Sequence, residues 1–308
     1  MGLVSKNLLD LKSTPVSDIN LIIETAFTQK EILSRSVKKV PILKGKSVCT
    51  MFIENSTRTK NSFETACKIL GADVIGFSKS GSSLNKGESF KDTLLTLEAM
   101  GVDLFIIRHV ASGSSVFASE TVNSKIINAG DGMHAHPTQA LLDMMTIVEH
   151  RGSVNGMTVL ILGDVFHSRV ARSNILGLSK MGAKVRICAP NTLIPAEIED
   201  FPCEVYTDLH EAVKGVDCIN ILRIQLERMN AGYFSSIAEY NKFYGIDTDI
   251  FDYVNKDTLI LHPGPINRGV EISSKIADGP NSVIVNQVTN GLAVRMALLY
   301  LMLQGENK

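Results

Sequence analysis

Apolar positions recur along the chain in two registers, one helical and one extended. Ile19, Ile22, Ile23, Ala26 and Phe27, followed by Lys30 and Leu33, keep a 3.6-residue stripe that predicts a helix capped by Ser17. Pro41 and Gly45 punctuate the chain before a short apolar run at 48–53, which reads as a strand. Helix and strand then alternate. Residues 63–70 read as helix stopped by Gly71, 74–77 as strand, and 89–100 as helix stopped by Gly101. Strands follow at 104–108 and 126–128, and a helix at 138–149. A break at 151–156, with two glycines and a serine, opens a second series. It has strand 158–162, helix 170–181, strand 185–189, a strand at Val205, a helix after Asp208, and strands at 218–222 and 259–261. An apolar helix over 288–303 closes the chain.

Strands alternating with helices predict parallel sheets covered on both faces. The expectation is an α/β protein of two doubly wound domains, each with a central parallel sheet. Helices link the domains, and the last helix returns to the first. The boundaries fall at 1–150 plus 288–308 for one domain and 151–287 for the other. The length of 308 residues agrees, since about 100–200 residues make a domain.

Composition changes the picture mainly by exclusion. With 44% hydrophobic residues, 20% charged residues and a net charge of −1, the chain has no basic footprint for nucleic acid or a membrane surface. No apolar run approaches the roughly 20 residues of a membrane helix. The first residues show no signal-peptide pattern, and Lys6 breaks the myristoylation motif. Five cysteines, at 49, 67, 188, 203 and 218, form no close pair, which fits buried thiols in a reducing cytoplasm.

In open α/β sheets, ligands sit beyond the carboxyl ends of the strands. After the first strand comes Glu54-Asn55-Ser56-Thr57-Arg58-Thr59-Lys60, leading into a helix. Free N–H groups at a helix start, hydroxyls and a guanidinium make an anion cradle suited to phosphate. The nucleotide P-loop pattern is absent. Another strand ends in Arg108-His109. Gly130, Gly132 and Ala135 imitate a dinucleotide fingerprint, but Pro137 opens the helix too late for one. His136 and Gln139, one turn apart, suit hydrogen bonding to a small carbonyl compound. His134 and His136 lack the further ligands a metal needs. In the second series, Arg169 stands at a helix start, Arg223 and Gln225 follow a strand, and 262–271 form a turn with two prolines around a glycine. Cations and neutral hydrogen-bonders dominate these loops, which suits positioning of anions rather than covalent catalysis.

Together the loops closely resemble the catalytic chains of the aspartate carbamoyltransferase family, within the aspartate/ornithine carbamoyltransferase superfamily. The matching segments are STRTKNSFE at 56–64, SSLNKGES at 82–89, RH at 108–109, NAGDGMHAHPTQALLD at 128–143, GDVFHSRVARSN at 163–174, LRIQLER at 222–228, HPGPINRGVEI at 262–272 and QVTNGLAVRMALL at 287–299. The resemblance implies transfer of a carbamoyl group from carbamoyl phosphate to the α-amine of L-aspartate, in pyrimidine biosynthesis. It implies that Ser56, Thr57, Arg58 and Thr59 cradle the phosphate, that Arg108, His136 and Gln139 hold the carbamoyl group, and that Arg169, Arg223 and Gln225 bind aspartate. The carbonyls of Gly264 and Pro265 would touch the carbamoyl amine. Catalysis would fall to Arg58, Thr59, Lys86, Arg108 and His136. The resemblance also implies a cytoplasmic homotrimer whose sites borrow Ser82 and Lys86 from a neighbour, without a metal or organic cofactor. Glu54 would pair arginines on domain closure, and Arg228 would belong to a mobile loop. Asn85 departs from the basic residue common before that lysine, which bears on the loop rather than the chemistry. Attachment of regulatory chains is left open.

Three rival readings of these loops are open. Ornithine carbamoyltransferase shares the STRT and HPTQ elements, but its HCLP turn is HPGP here and its S-M-G loop is missing. A catalytically inactive trimeric scaffold is opposed by the intact Arg58, Arg108, His136 and Arg169. A nicotinamide-dependent dehydrogenase is opposed by the incomplete glycine fingerprints.

Overall fold

The computed structural model describes residues 2–78, 87–225, 233 and 236–304. The chain divides into two compact units, Met1–Met145 with Thr289–Lys308, and Thr146–Val288. In order, the elements are α1 (Val16–Leu33), β1 (Ser47–Phe52), α2 (Thr57–Leu70), β2 (Asp73–Ser78), α3 (Phe90–Ala99), β3 (Leu104–His109), α4 (Ser114–Thr121), β4 (Lys125–Asp131) and α5 (Pro137–Arg151). The second series is β5 (Thr158–Leu162), α6 (Arg169–Lys180), β6 (Lys184–Cys188), β7 (Glu204–Tyr206), α7 (Leu209–Ala212), β8 (Cys218–Ile221), α8 (Ile237–Tyr244), β9 (Leu259–Leu261), α9 (Ser274–Ala277) and α10 (Ile284–Gln304).

Each unit holds one sheet, in the orders β2-β1-β3-β4 and β7-β6-β5-β8-β9. Every paired strand is parallel. The central strands are buried along almost their whole length, as in β1, where Val48 to Phe52 are all buried. That is why they appear in the sequence as unbroken apolar runs rather than alternating ones. Strand order reverses between β1 and β3 in the first sheet and between β5 and β8 in the second. Those reversals are where loops diverge to opposite faces and leave a crevice.

The first sheet's outer strand is covered by the chain's own amino-terminal segment. Leu8 N–H donates to Ile126 O at 2.9 Å, and Asn128 N–H returns a bond to Leu8 O at 2.8 Å. Asn7 Oδ1 accepts from Ile126 N–H at 2.9 Å, and Asn128 Nδ2 donates to Leu9 O at 2.8 Å.

Several boundaries differ from the periodicity. Ser17 does not cap α1; the helix opens at Val16 after Pro15, with no side-chain cap. Asp18, in the first turn, holds the amino-terminal segment instead, accepting the N–H groups of Val4 and Ser5 at 2.9 Å each. The last helix starts at Ile284, four residues before the apolar stripe becomes continuous. The short helices α4, α8 and α9 leave no stripe long enough to read. Gly71, in the left-handed region at φ 80°, does end α2.

None of the five cysteines is paired in a disulfide. Burial pushes the thiols of Cys49, Cys67 and Cys188 up to about 12 and that of Cys203 up to about 11. Such thiols are almost entirely protonated at neutral pH and are poor nucleophiles. Among the described residues, no helix is long and apolar enough to cross a membrane.

Candidate active site

In the first unit, the strand reversal brings three loops together around Arg108. Phe52 and Arg108 are register partners at the ends of β1 and β3. The loop after β1 is tied to that strand end, because Ile53 N–H donates to Arg108 O at 2.9 Å. Arg108 Nη2 meets Glu54 Oε1 at 2.8 Å, with side-chain exposures of 13% and 17%. At this burial the ion pair is largely shielded from solvent screening, so it holds the guanidinium in a fixed direction. Arg108 Nη1 donates to Ala129 O, at 3.3 Å, in the third loop.

Ser56, Thr57, Arg58 and Thr59 form the entry to α2. Ser56 has extended backbone at the N-cap position, yet its side chain makes no cap hydrogen bond. The first helical N–H groups have no intrahelical acceptor, so the turn presents them with the dipole's positive end to an incoming anion. Thr59 is buried, whereas Thr57 and Arg58 are exposed.

The third loop is shaped by Asp131, which is wholly buried. Its carboxylate accepts from Gly113 N–H at 2.7 Å, Asn128 Nδ2 at 2.8 Å and Ala135 N–H at 3.2 Å. His134 turns to the same carboxylate, Nδ1 to Oδ2 at 3.0 Å. This bracing delivers His136 to the start of α5, where its carbonyl accepts from Gln139 N–H at 3.0 Å. Thr138 Oγ1 lies 3.4 Å from His136 Nδ1, and Gln139 Nε2 donates to Asp143 Oδ1 at 2.9 Å. His136 and Gln139 are both buried. Of the glycines that imitated a dinucleotide fingerprint, Gly132 serves packing. Gly132 has φ 48°, and a Cβ there would stand 2.3 Å from Ser112 Oγ and 2.6 Å from Ser112 N. Gly132→Ala is therefore expected to destabilise the chain by on the order of 1–3 kcal/mol in denaturant unfolding, through backbone strain and displacement of Ser112.

In the second unit, the reversal sets the loops after β5 and β8 side by side. Leu222 N–H donates to Leu162 O at 2.7 Å. Ser168 caps α6 by accepting from Ala171 N–H at 3.1 Å, so Arg169, the first helical residue, is fixed in place while buried. Gln225 Nε2 donates to His167 O at 3.3 Å. The His167 ring rests against wholly buried Asp164, Nδ1 to Oδ1 at 2.9 Å. Burial raises the Asp164 pKa, although the His167 bonds oppose that. Arg223 is half-buried beside them in sequence.

The turn after β9 is held by a second buried pair. His262 Nδ1 accepts from Gly264 N–H at 2.8 Å, so its Nε2–H points to Glu271 Oε1 at 3.2 Å. Glu271 Oε1 also accepts from Asn267 N–H at 2.5 Å. These bonds fix the backbone that carries the Gly264 and Pro265 carbonyls.

Arg108, His136, Gln139 and the Ser56–Thr59 turn thus belong to the first unit, and Arg169, Arg223, Gln225, Gly264 and Pro265 to the second. Ser82, Lys86, Asn85 and Arg228 lie outside the described residues. Sequence reasoning missed the carboxylates that brace the loops. Asp143 stands four residues after Gln139 on a helix, and Asp164 three before His167. Both spacings could have signalled a supporting contact.

Comparison with known proteins adds to this geometry. Residues 6–149 match the family model "Aspartate/ornithine carbamoyltransferase, carbamoyl-P binding domain", and residues 155–302 match "Aspartate/ornithine carbamoyltransferase, Asp/Orn binding domain". The aspartate carbamoyltransferase catalytic subunit of Halothermothrix orenii is 55% identical over 302 residues, covering 98% of this chain and 96% of that protein. Among solved structures, ornithine carbamoyltransferase from Pyrococcus furiosus superposes with a TM-score of 0.87 at 28% identity, covering 99% of both chains. Aspartate transcarbamoylase from Trypanosoma cruzi in complex with N-(phosphonacetyl)-L-aspartic acid also gives 0.87 at 28% identity, covering 96% of this chain and 94% of that one.

Proposed function

The chain belongs to the aspartate/ornithine carbamoyltransferase family, and on that premise we propose that it carbamoylates L-aspartate. The products are N-carbamoyl-L-aspartate and phosphate, a step of pyrimidine biosynthesis. The observation that carries aspartate over ornithine is the high identity, 50–55% over nearly the whole chain, to relatives named aspartate carbamoyltransferase catalytic subunit. Fold alone does not choose, since the structural match to an ornithine enzyme is equally good. Site chemistry agrees with aspartate. Arg169 and Arg223 suit a substrate with two carboxylates and would oppose ornithine's cationic side chain.

In this reading residues 1–150 with 288–308 take carbamoyl phosphate, and 151–287 take aspartate. Ser56, Thr57, Arg58 and Thr59 receive the phosphate. Arg108, His136 and Gln139 hold the carbamoyl group, and the carbonyls of Gly264 and Pro265 accept from its amine. Two anionic substrates must lie side by side, and like charges about 4 Å apart repel by about 4 kcal/mol at an effective dielectric of 20. The arginines offset that cost.

The neutral α-amine attacks the carbonyl carbon and forms the new C–N bond. The carbonyl oxygen becomes an oxyanion, stabilised by Thr59, Arg108 and His136. The C–O bond to phosphate then breaks, and the leaving phosphate takes the amine proton. The residues present supply positioning and charge without a metal or organic cofactor. A cytoplasmic trimer, with Ser82 and Lys86 reaching a neighbour's site, completes the proposal. The family resemblance supports the trimer, and five cysteines without a disulfide suit a reducing compartment.

The test offers labelled carbamoyl phosphate with either amine. Carbamoyl-aspartate should form at least a hundredfold faster than citrulline at equal amine concentration. Faster citrulline formation would reassign the chain to ornithine, and no turnover of either would favour the scaffold.

A further inference from the structure

One cation of the first unit is not used by the chemistry above. Arg295, on α10, is 5% exposed. Its Nη1 donates to Ser62 Oγ on α2 at 3.0 Å, and its guanidinium carbon lies 5.2 Å from the centre of the Phe63 ring. Room for it is made by Gly291, one turn earlier, where a Cβ would stand 2.8 Å from Nη1 and 3.0 Å from Leu142 Cδ2. No described carboxylate pairs with it. The charged neighbour that acts on it is another cation, Arg108. Burial first, and Arg108 second, push its pKa down to about 10, so it stays charged at neutral pH.

The helix register shows what this charge faces. Ser62 and Phe63 stand four residues after Arg58 and Thr59, so each pair shares a face of α2. Arg295 therefore lies one helical turn beneath the residues that receive the anion. Arg108 already has Glu54 as counter-ion at 2.8 Å, whereas Arg295 meets no carboxylate among the described residues. A buried cation with no counter-ion opposes folding unless something else repays it.

We propose that Arg295 is a positioning residue of the anion site, a buried charge left open so that the bound phosphate group of the substrate acts as its counter-ion while it steadies α2 through Ser62. The inference rests on reading the α2 entry as the carbamoyl phosphate site. A stability role alone would give Arg295 a carboxylate or a full set of hydrogen bonds; its Nε is buried without a partner among the described residues.

The experiment compares full-length wild type, Arg295→Met and Arg295→Lys. Inorganic phosphate and carbamoyl phosphate binding are measured by calorimetry, and ligand-free melting temperature by scanning. At a separation on the order of 10 Å and an effective dielectric of 20, losing the charge should weaken phosphate binding roughly tenfold or more. Arg295→Met should do this with an unchanged or raised ligand-free melting temperature, because the desolvated charge is gone. It should raise the KM for carbamoyl phosphate more than that for aspartate. Arg295→Lys keeps the charge, loses the guanidinium contacts, and should bind phosphate within about threefold of wild type.

Phosphate binding by Arg295→Met within twofold of wild type overturns the proposal. If the methionine chain does not fold, the lysine variant decides alone, and a tenfold or greater loss in it also overturns the proposal. Wild type that fails to bind phosphate would instead sink the underlying site assignment, a separate outcome read before either variant.

Discussion

Arg108→Ala should lower kcat by roughly 100- to 1,000-fold while leaving the fold intact by circular dichroism. Three contacts set Arg108 in place. Glu54 at 2.8 Å and Ala129 O at 3.3 Å hold the guanidinium rigidly, and its own carbonyl ties down the loop after β1. A preorganised donor stabilises developing negative charge without reorienting during the reaction, and losing one such donor costs about 2.7–4 kcal/mol. Lysine should not rescue it, because an ammonium cannot reproduce the planar fork that meets Glu54 and Ala129 together. Glu54→Gln gives a graded comparison. It should weaken orientation but keep the charge, so its kcat should fall less than that of Arg108→Ala. An Arg108→Ala chain with kcat within fivefold of wild type would remove Arg108 from the chemistry.

The second large effect concerns aspartate. Arg169→Ala should raise the KM for aspartate roughly 100-fold or more, with phosphate binding in the absence of aspartate unchanged. Arg169 is 5% exposed at the first position of α6, and Ser168 fixes that turn. A carboxylate meeting it would form a desolvated, charge-assisted bond, and truncating one partner of such a pair costs about 2–5 kcal/mol. Steady-state kinetics with carbamoyl phosphate saturating separate this from a change in kcat. Equal weakening of phosphate and aspartate binding would mean that the substitution disturbs the unit as a whole.

The sequence made the sheets easy to read because parallel strands buried on both faces are short apolar runs, and 158–162 and 259–261 coincide with β5 and β9. The small helices were hidden for a physical reason. In α8 only Tyr240 is buried, so no stripe forms. In α4 the preceding Gly113 is held by Asp131, a contact eighteen residues away. The loops bearing the candidate site were legible from residue type and position after strands. Their bracing was legible only in part, because Asp143 and Asp164 stand within four residues of the groups they hold, whereas Arg108 meets Glu54 across 54 positions. Arg295 and Ser62 are separated by 233 positions, and neither has a local pattern that points to the other. Ser17 shows the opposite error. A favourable cap residue falls inside the first turn, because the helix opens at Val16 directly after Pro15.

The amino-terminal segment beside β4 has a consequence beyond local stability. Leu8 and Asn7 use up N–H and C=O groups that a bare sheet margin would offer to any passing strand. The opening residues therefore act as a built-in safeguard against fibre-like self-association. Trimming them for convenience in expression would uncover a sticky border and remove Leu9 O, a partner of Asn128.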